Sequence, residues 1–242
     1  MIHHTKGIVL RSVKYGETSL IVSIFTELFG IQSYMVNGVR NAKQSKSNYF
    51  QSSSILDMQV YYNELKNLQR IKEYKWSHIY HSVLTDVTKN AVALYMVELL
   101  QRSLKQPEAN ADLFAFAEDA FLQLDKASDG VTANYPLYFA VQLAQFFGFQ
   151  FYDEYSDINQ ILDMQEGRFT DEVPAHKFYL QGAEASTTSE LLKTMHPEEL
   201  ITLKLNKIAR RQLLLAYQSY YAYHIQDFGL MRTLPVLQEI LG

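Results

Sequence analysis

The chain has 242 residues, 48% of them apolar, with 17 Tyr and 14 Phe, enough for one large core or two smaller ones and too apolar for a disordered chain. It contains no cysteine, which excludes disulfides, thiolate catalysis and any Cys-ligated zinc site. The net charge of −4 conceals an asymmetry: residues 1–80 carry 10 Lys+Arg against 5 Asp+Glu, whereas residues 81–242 carry 12 against 21.

A basic segment joined to an acidic one points to a polyanion on one side and a different partner on the other. No apolar run reaches membrane-spanning length, and the N-terminus lacks the apolar core of a signal peptide, so a cytoplasmic protein with no membrane contact is expected.

The first 80 residues read as strands. Lys6–Lys14 is rich in β-branched residues and runs into a Tyr15-Gly16-Glu17 turn. Thr18–Thr26, Ile31–Val36, Ile55–Tyr62 and Leu68–Trp76 are four further apolar runs. Five short strands predict a small closed barrel, with the OB-fold as the leading choice. The fold class is therefore α+β: a five-stranded barrel over residues 1–80, then a helical domain over 81–242.

Past His78 the apolar period becomes helical. Val92, Tyr95, Met96, Leu99 and Leu100 follow one stripe, Leu113, Phe116, Ala117, Ala120, Phe121 and Leu124 a second, and Leu137, Ala140, Val141, Ala144 and Phe147 a third, which Gly148 caps. Residues 149–182 break the pattern with Asp, Gly and Pro and have room for a small hairpin. Thr187 and Glu190 have capping-box spacing, and Pro197-Glu198-Glu199 reads as the opening of the last long helix.

Between Glu27 and Asp57 there is no acidic residue, while Arg40, Lys43 and Lys46 stand among Ser, Asn and Gln. Such a loop reads as a phosphate-contacting arm, with a solvated connector as the alternative. On the fifth strand Arg70, Lys72, Tyr74 and Trp76 alternate, which places all four on one face; Trp76 reads as a core residue, and Arg70 and Lys72 as contacts. With Arg11 and Lys14 of the first strand, these cations complete the candidate DNA-binding set: Arg11, Lys14, Arg40, Lys43, Lys46, Arg70 and Lys72.

On the last helix Lys204, Lys207 and Arg211 form a basic stripe roughly opposite Leu205, Ala209, Leu213, Ala216 and Tyr220, a face suited to an acidic peptide or simply to solvent. His78 and His81 lack a third ligand at metal spacing, and Asp153, Glu154 and Asp157 read as a solvated patch. No phosphate-binding glycine loop, nucleophile elbow or HExxH motif is present, so neither a catalytic residue nor a cofactor is expected.

The stretches "KGIVLRSVKYGETSLIVSIFTELFG", "VNGVR" and "RRQLLLAYQSYYAYHIQDFGLMRTLPVLQEIL" resemble, in order and over nearly the whole chain, the bacterial RecO family of recombination mediators. The resemblance implies an N-terminal OB-fold and a helical C-terminal domain. It also implies a non-enzymatic, nucleoid-associated protein that binds single- and double-stranded DNA and anneals complementary strands. Its implied partners are the acidic, apolar-ended tail of the single-strand-binding protein SSB, then RecR and, indirectly, RecA. On that footing Lys204, Lys207 and Arg211 become the candidate tail-binding residues.

One departure stands out. Many members carry a four-cysteine zinc module where this chain has the cysteine-free residues 149–182. Phe151, Tyr152, Ile161, Leu162, Phe169 and Phe178 are expected to form a metal-free mini-core there. A protein–protein adaptor and a metal-dependent nuclease are the alternatives from other functional classes.

Overall fold

Strand-forming residues with one buried face dominate the first 76 positions of the computed structural model, which describes residues 1–40 and 46–241. The strands are β1 (Ile2–Tyr15), β2 (Ser19–Thr26), β3 (Gly30–Val36), β4 (Ile55–Tyr61) and β5 (Gln69–Trp76). They close in the order β1-β2-β3-β5-β4, antiparallel except where β3 meets β5 in parallel, which is the OB-fold arrangement. Leu20, Val22 and Ile24 of β2 point inward with Tyr34, Met58 and Val60. Their odd-numbered neighbours point outward.

Two bulges set which side chains face the core. In β1, Val9 pairs with Ile24 but Arg11 with Ser23, leaving Leu10 as the extra residue. In β5, Ile71 pairs with Val60 and Glu73 with Gln59, leaving Lys72 over. This second bulge corrects the expected one-face alternation of Arg70, Lys72, Tyr74 and Trp76. Beyond Lys72 the strand changes face, so Tyr74 and Trp76 turn inward onto the core while Arg70 stays outside. Trp76 stacks on Tyr49 with ring centroids 4.5 Å apart, the packing role expected of it.

The helices are α1 (Val87–Ser103), α2 (Ala111–Lys126), α3 (Asp129–Leu143), α4 (Ala183–Lys193), α5 (Lys207–His224) and α6 (Thr233–Ile240). By compactness the chain forms two units, residues 1–81 with 104–122, and residues 82–103 with 123–242. Within the first, Phe114 of α2 lies 5.5 Å from the Phe25 ring on the outer face of β2, and Lys6 donates to both Glu118 oxygens at 2.8 and 3.0 Å. That bond to Glu118 raises the Lys6 pKa. Gly30 has φ +62°, and a Cβ there would fall 2.3 Å from the Glu108 carbonyl oxygen, so only glycine fits this turn.

In the second unit α3 is buried nearly all round, and the expected stripes of α1 and α3 are buried almost throughout. Gly148 takes φ +79° after the short 3₁₀ turn that extends α3, as its capping role requires. Residues 161–180 hold a three-stranded sheet, β6 (Ile161–Asp163), β7 (Arg168–Thr170) and β8 (Tyr179–Leu180), where a hairpin was expected. Phe151, Leu162 and Phe169 are buried in its mini-core with Met164 and Leu180. Tyr152 is instead exposed, with Arg168 over its ring, and Arg168 pairs with Glu154. Asp153 likewise accepts from Ser189 at 2.7 Å, so two of the three acids expected to be solvated are engaged. Among the described residues no group of three or more His, Cys, Asp or Glu is placed to hold a metal, and no helix is long and apolar enough to cross a membrane.

Two helix starts differ from expectation. Thr187 is not an N-cap: α4 begins at Ala183 after Gly182, and the hydroxyl of Thr188 donates back to the Glu184 carbonyl. Pro197 opens only a 3₁₀ helix (Pro197–Thr202), because the long helix α5 starts afresh at Lys207, capped by Asn206, whose Oδ1 accepts from Ala209 N at 2.9 Å.

The N-terminus of α6 has no cap of its own and takes one from α1. Glu98 accepts from Arg232 N (2.9 Å), Thr233 N (2.8 Å) and the Thr233 hydroxyl (2.7 Å), and from Arg102 at 2.8 Å. Burial pushes the Glu98 pKa up, but these donors outweigh it and hold the carboxyl below its usual range. A lowered folded-state pKa contributes stability that is present above the unfolded value and lost as pH falls through the folded one. Glu98→Gln is therefore expected to cost about 2 kcal/mol at pH 7, with the difference from wild type shrinking as pH falls below the ordinary carboxylate range; urea melts at several pH values measure it.

Candidate functional site

Backbone hydrogen bonds gather several of the predicted basic residues at one end of the barrel. Gly38, at φ +71°, turns the chain after β3. Arg40 N then donates to the Thr18 carbonyl at 3.0 Å, and its guanidinium donates to the Gly16 carbonyl at 3.3 Å. Lys46 N donates to the Val39 carbonyl at 2.9 Å, which brings Lys46 beside Arg40 at the base of the loop. Lys43 lies outside the described residues.

Lys14 and Arg11 flank this point from opposite faces of β1. Lys14 pairs with Leu20 and shares the face of Ser12, whose hydroxyl donates to the Phe50 carbonyl. Arg11 pairs with Ser23 and faces outward. Lys14, Arg40 and Lys46 therefore stand round the β1–β2 tip, where the carbonyls of Gly16 and Thr18 hold Arg40 and the exposed Glu17 lies between them.

Arg70 emerges on the outer surface where β5 meets both β3 and β4, paired with Met35 and Tyr61. Following the pairings round, Tyr61, Arg70, Met35, Ile21 and Val13 form one outward row. Lys72, the bulge residue, is less available, since its ammonium reaches Gln59 Oε1 at 3.3 Å and lies 3.7 Å from the Glu73 carboxylate. Lys75 is likewise taken up by Asp57 at 3.2 Å.

A second arrangement lies within the helical unit. The expected stripe on the last helix loses Lys204, which precedes α5 and donates to the Ile201 carbonyl at 3.2 Å; the chain between Thr202 and Asn206 is not helical, so i, i+3 spacing does not apply. Leu205 falls outside α5 for the same reason. Lys207 and Arg211 do share one side of α5. They edge a cleft of about 310 Å³ between α5 and α6, whose apolar lining comes from Ile208, Leu214 and Leu241.

Sequence reasoning missed two polar residues of this cleft. Arg210 is partly buried, and its guanidinium donates to three neutral oxygens, Asn134 Oδ1 (3.2 Å), the Leu241 carbonyl (3.2 Å) and the Leu205 carbonyl (3.1 Å). Burial without a counter-charge lowers its pKa. Gln238 Nε2 is buried with no acceptor among the described residues. A desolvated cation and an unused donor beside apolar walls suit a carboxylate on an apolar chain end, although Glu239 on the rim sets a limit on how much negative charge is welcome. The single signal in the sequence was the Arg210-Arg211 pair, since Gln238 is brought there only by the packing of α6 on α5.

The N-terminal part of the chain matches the family model described as Recombination protein O N terminal over residues 1–80, and the C-terminal part matches Recombination protein O C terminal over residues 84–233. Curated relatives agree with this. A DNA repair protein RecO from Bacteroides fragilis is 33% identical over 243 residues, covering 99% of each chain. The proteins of the same name from Phocaeicola vulgatus and Christiangramia forsetii are 31% and 30% identical, over 245 and 244 residues, each match covering all of both chains.

Proposed function

The chain belongs to the RecO family of DNA repair proteins, and from that premise we propose that its barrel binds DNA and its α5–α6 cleft receives the SSB tail. In this reading it anneals complementary strands and, with RecR, helps load RecA onto SSB-coated single strands. The role needs positioning of strands and partners rather than a catalytic step.

The observation that carries the DNA-binding part is the closed base of the Arg40–Lys46 loop. It sets two cations side by side at the β1–β2 tip, next to Lys14, at the edge of a segment with no carboxylate over residues 28–56. A phosphate chain approaching there meets the positive charge of Arg40, Lys46 and Lys14, opposed by one acid, the exposed Glu17 of the β1–β2 turn. Neutralising Arg40, Lys43 and Lys46 together is expected to weaken binding to all DNA sequences alike and to reduce the log–log salt slope on single strands by about 0.7 per lost contact. An unchanged slope would make the loop a solvated connector.

For the tail, Lys207 and Arg211 supply the rim charge, Arg210 and Gln238 the donors inside, and Ile208, Leu214 and Leu241 the apolar wall. Converting Lys207 and Arg211 to Glu is expected to weaken binding of an SSB-tail peptide by about 30-fold or more while leaving binding to naked DNA intact. Titration of both ligands against the double variant by fluorescence anisotropy checks this, and a normal peptide affinity would move the tail site elsewhere.

A further inference from the structure

The cleft at the β4–β5 turn answers a chemistry that none of the predicted basic residues explains alone. It measures about 240 Å³, and Tyr61, Tyr62, Asn63, Lys66 and Arg70 contribute to its walls, with no Asp or Glu in the lining. That volume is below the roughly 300–1,000 Å³ typical of sites for drug-sized ligands and suits one planar group.

The cleft is built rather than incidental. Gln69 is buried, and its carboxamide ties the turn together: Oε1 accepts from Asn63 N at 3.0 Å, while Nε2 donates to the Asn63 and Lys66 carbonyls at 2.9 and 2.6 Å. Asn63 Oδ1 accepts from Leu65 N at 2.9 Å, which fixes the turn's other end. Tyr62 is immobilised as a wall, stacked on Phe29 at 3.9 Å with His3 edge-on at 6.3 Å.

Tyr61 is different. It is 46% exposed, and among the described residues its ring touches no other ring. Lys66 and Arg70 are both exposed, and among the described residues neither has a carboxylate partner. An open aromatic face between two unpaired cations, on a turn held rigid by a buried amide, meets the requirements of a base with its flanking phosphates: a π-face to stack on and positive charge on the backbone.

We propose that this cleft takes one unpaired nucleotide of a single strand, with the base stacked on Tyr61 and the adjacent phosphates on Lys66 and Arg70. The inference rests on the reading of the barrel as DNA-binding. A nucleotide within a strand is favoured over a free one because the cleft does not end at Arg70. The outward row continues through Met35, Ile21 and Val13 towards the tip that carries Lys14 and Arg40, an apolar track on which neighbouring bases can lie while the cations follow the backbone. A duplex keeps its bases stacked on one another and offers none to Tyr61, so the cleft distinguishes single from double strands.

The test is anisotropy titration of a labelled oligothymidylate and a labelled blunt duplex against wild type, Tyr61→Ala, Tyr61→Phe and Lys66→Ala/Arg70→Ala, with unlabelled thymidine monophosphate as competitor. Tyr61→Ala is expected to bind the single strand about 10-fold more weakly, the duplex unchanged, and with the wild-type salt slope. Tyr61→Phe keeps the stacking face and is expected to bind as wild type. The double variant is expected to lower the single-strand salt slope by about 1.4. Because Tyr61 lies at the surface, loss of folding does not confuse the result, and an unchanged melting curve verifies it.

Wild-type affinity of Tyr61→Ala for the single strand, with wild type binding both DNAs, would overturn the cleft while the DNA-binding reading stands. Equal losses on single strand and duplex would also overturn it, as would displacement of the strand by the mononucleotide at low concentration. Failure of the wild type to bind either DNA would bring down the broader reading instead.

Discussion

Barrel closure depends on a very short contact. β5 joins β3 through only two residue pairs, Tyr34 with Gln69 and Met35 with Arg70, before it runs on against β4. At that seam one residue turns in and the next turns out. Gln69 brings a buried amide whose hydrogen-bonding groups must all be satisfied, and the β4–β5 turn folds around it to do so. Arg70 is thereby forced to the surface, beside Tyr61 on one flank and Met35 on the other. Two residues further on, the Lys72 bulge reverses the strand so that Tyr74 and Trp76 complete the core. The same few residues thus close the barrel, fill it and leave a basic, aromatic outer surface.

A comparable economy holds in the helical unit. α6 is short and begins without a cap, and Glu98 on α1 provides the missing acceptors. Once α6 is held, Gln238 and Leu241 lie opposite Arg210 and Leu214 of α5, and the cleft exists. Arg210 supports the walls through three carbonyl-type oxygens and keeps its charge uncompensated. A partly buried guanidinium with neutral partners is costly by itself, a cost that a carboxylate placed beside it would relieve. The stability of α6 and the shape of the cleft are linked there through the α1–α6 capping contact.

Much of this was legible in the order of residues. The β-branched runs located all five strands, and the helical period located α1 to α3, because both signals follow from burying one face. The capping box at Thr187 misled because Gly182 allows the chain to enter the helix earlier, after which the Thr188 hydroxyl bonds back along the helix. Lys204 was misplaced because Pro197 starts a helix well but does not show that the helix continues; Asn206 carried the true signal. The bulges could not be read, since one extra residue leaves β-propensity unchanged while inverting every side chain beyond it. The two clefts were invisible for another reason. The α5–α6 cleft joins two helices distant in sequence, whereas the other forms within one turn, where Gln69 folds back onto Asn63 six residues away through side-chain hydrogen bonds that periodicity does not reveal; their defining groups, Tyr61 and Gln238, look ordinary without their neighbours.

The proposed division of labour gives one chain two distinct anion-recognising surfaces, one on the barrel for a nucleic-acid strand and one on α5 and α6 for an acidic peptide. Hydrogen exchange of the full chain, alone, with oligothymidylate and with an SSB-tail peptide, tests it most directly. DNA is expected to protect amides around residues 12–20, 37–40 and 61–71, and the peptide those around residues 207–215 and 234–241, with little overlap. Protection of the same segments by both ligands, or protection by DNA confined to α5 and α6, would mean that the two surfaces are not separate.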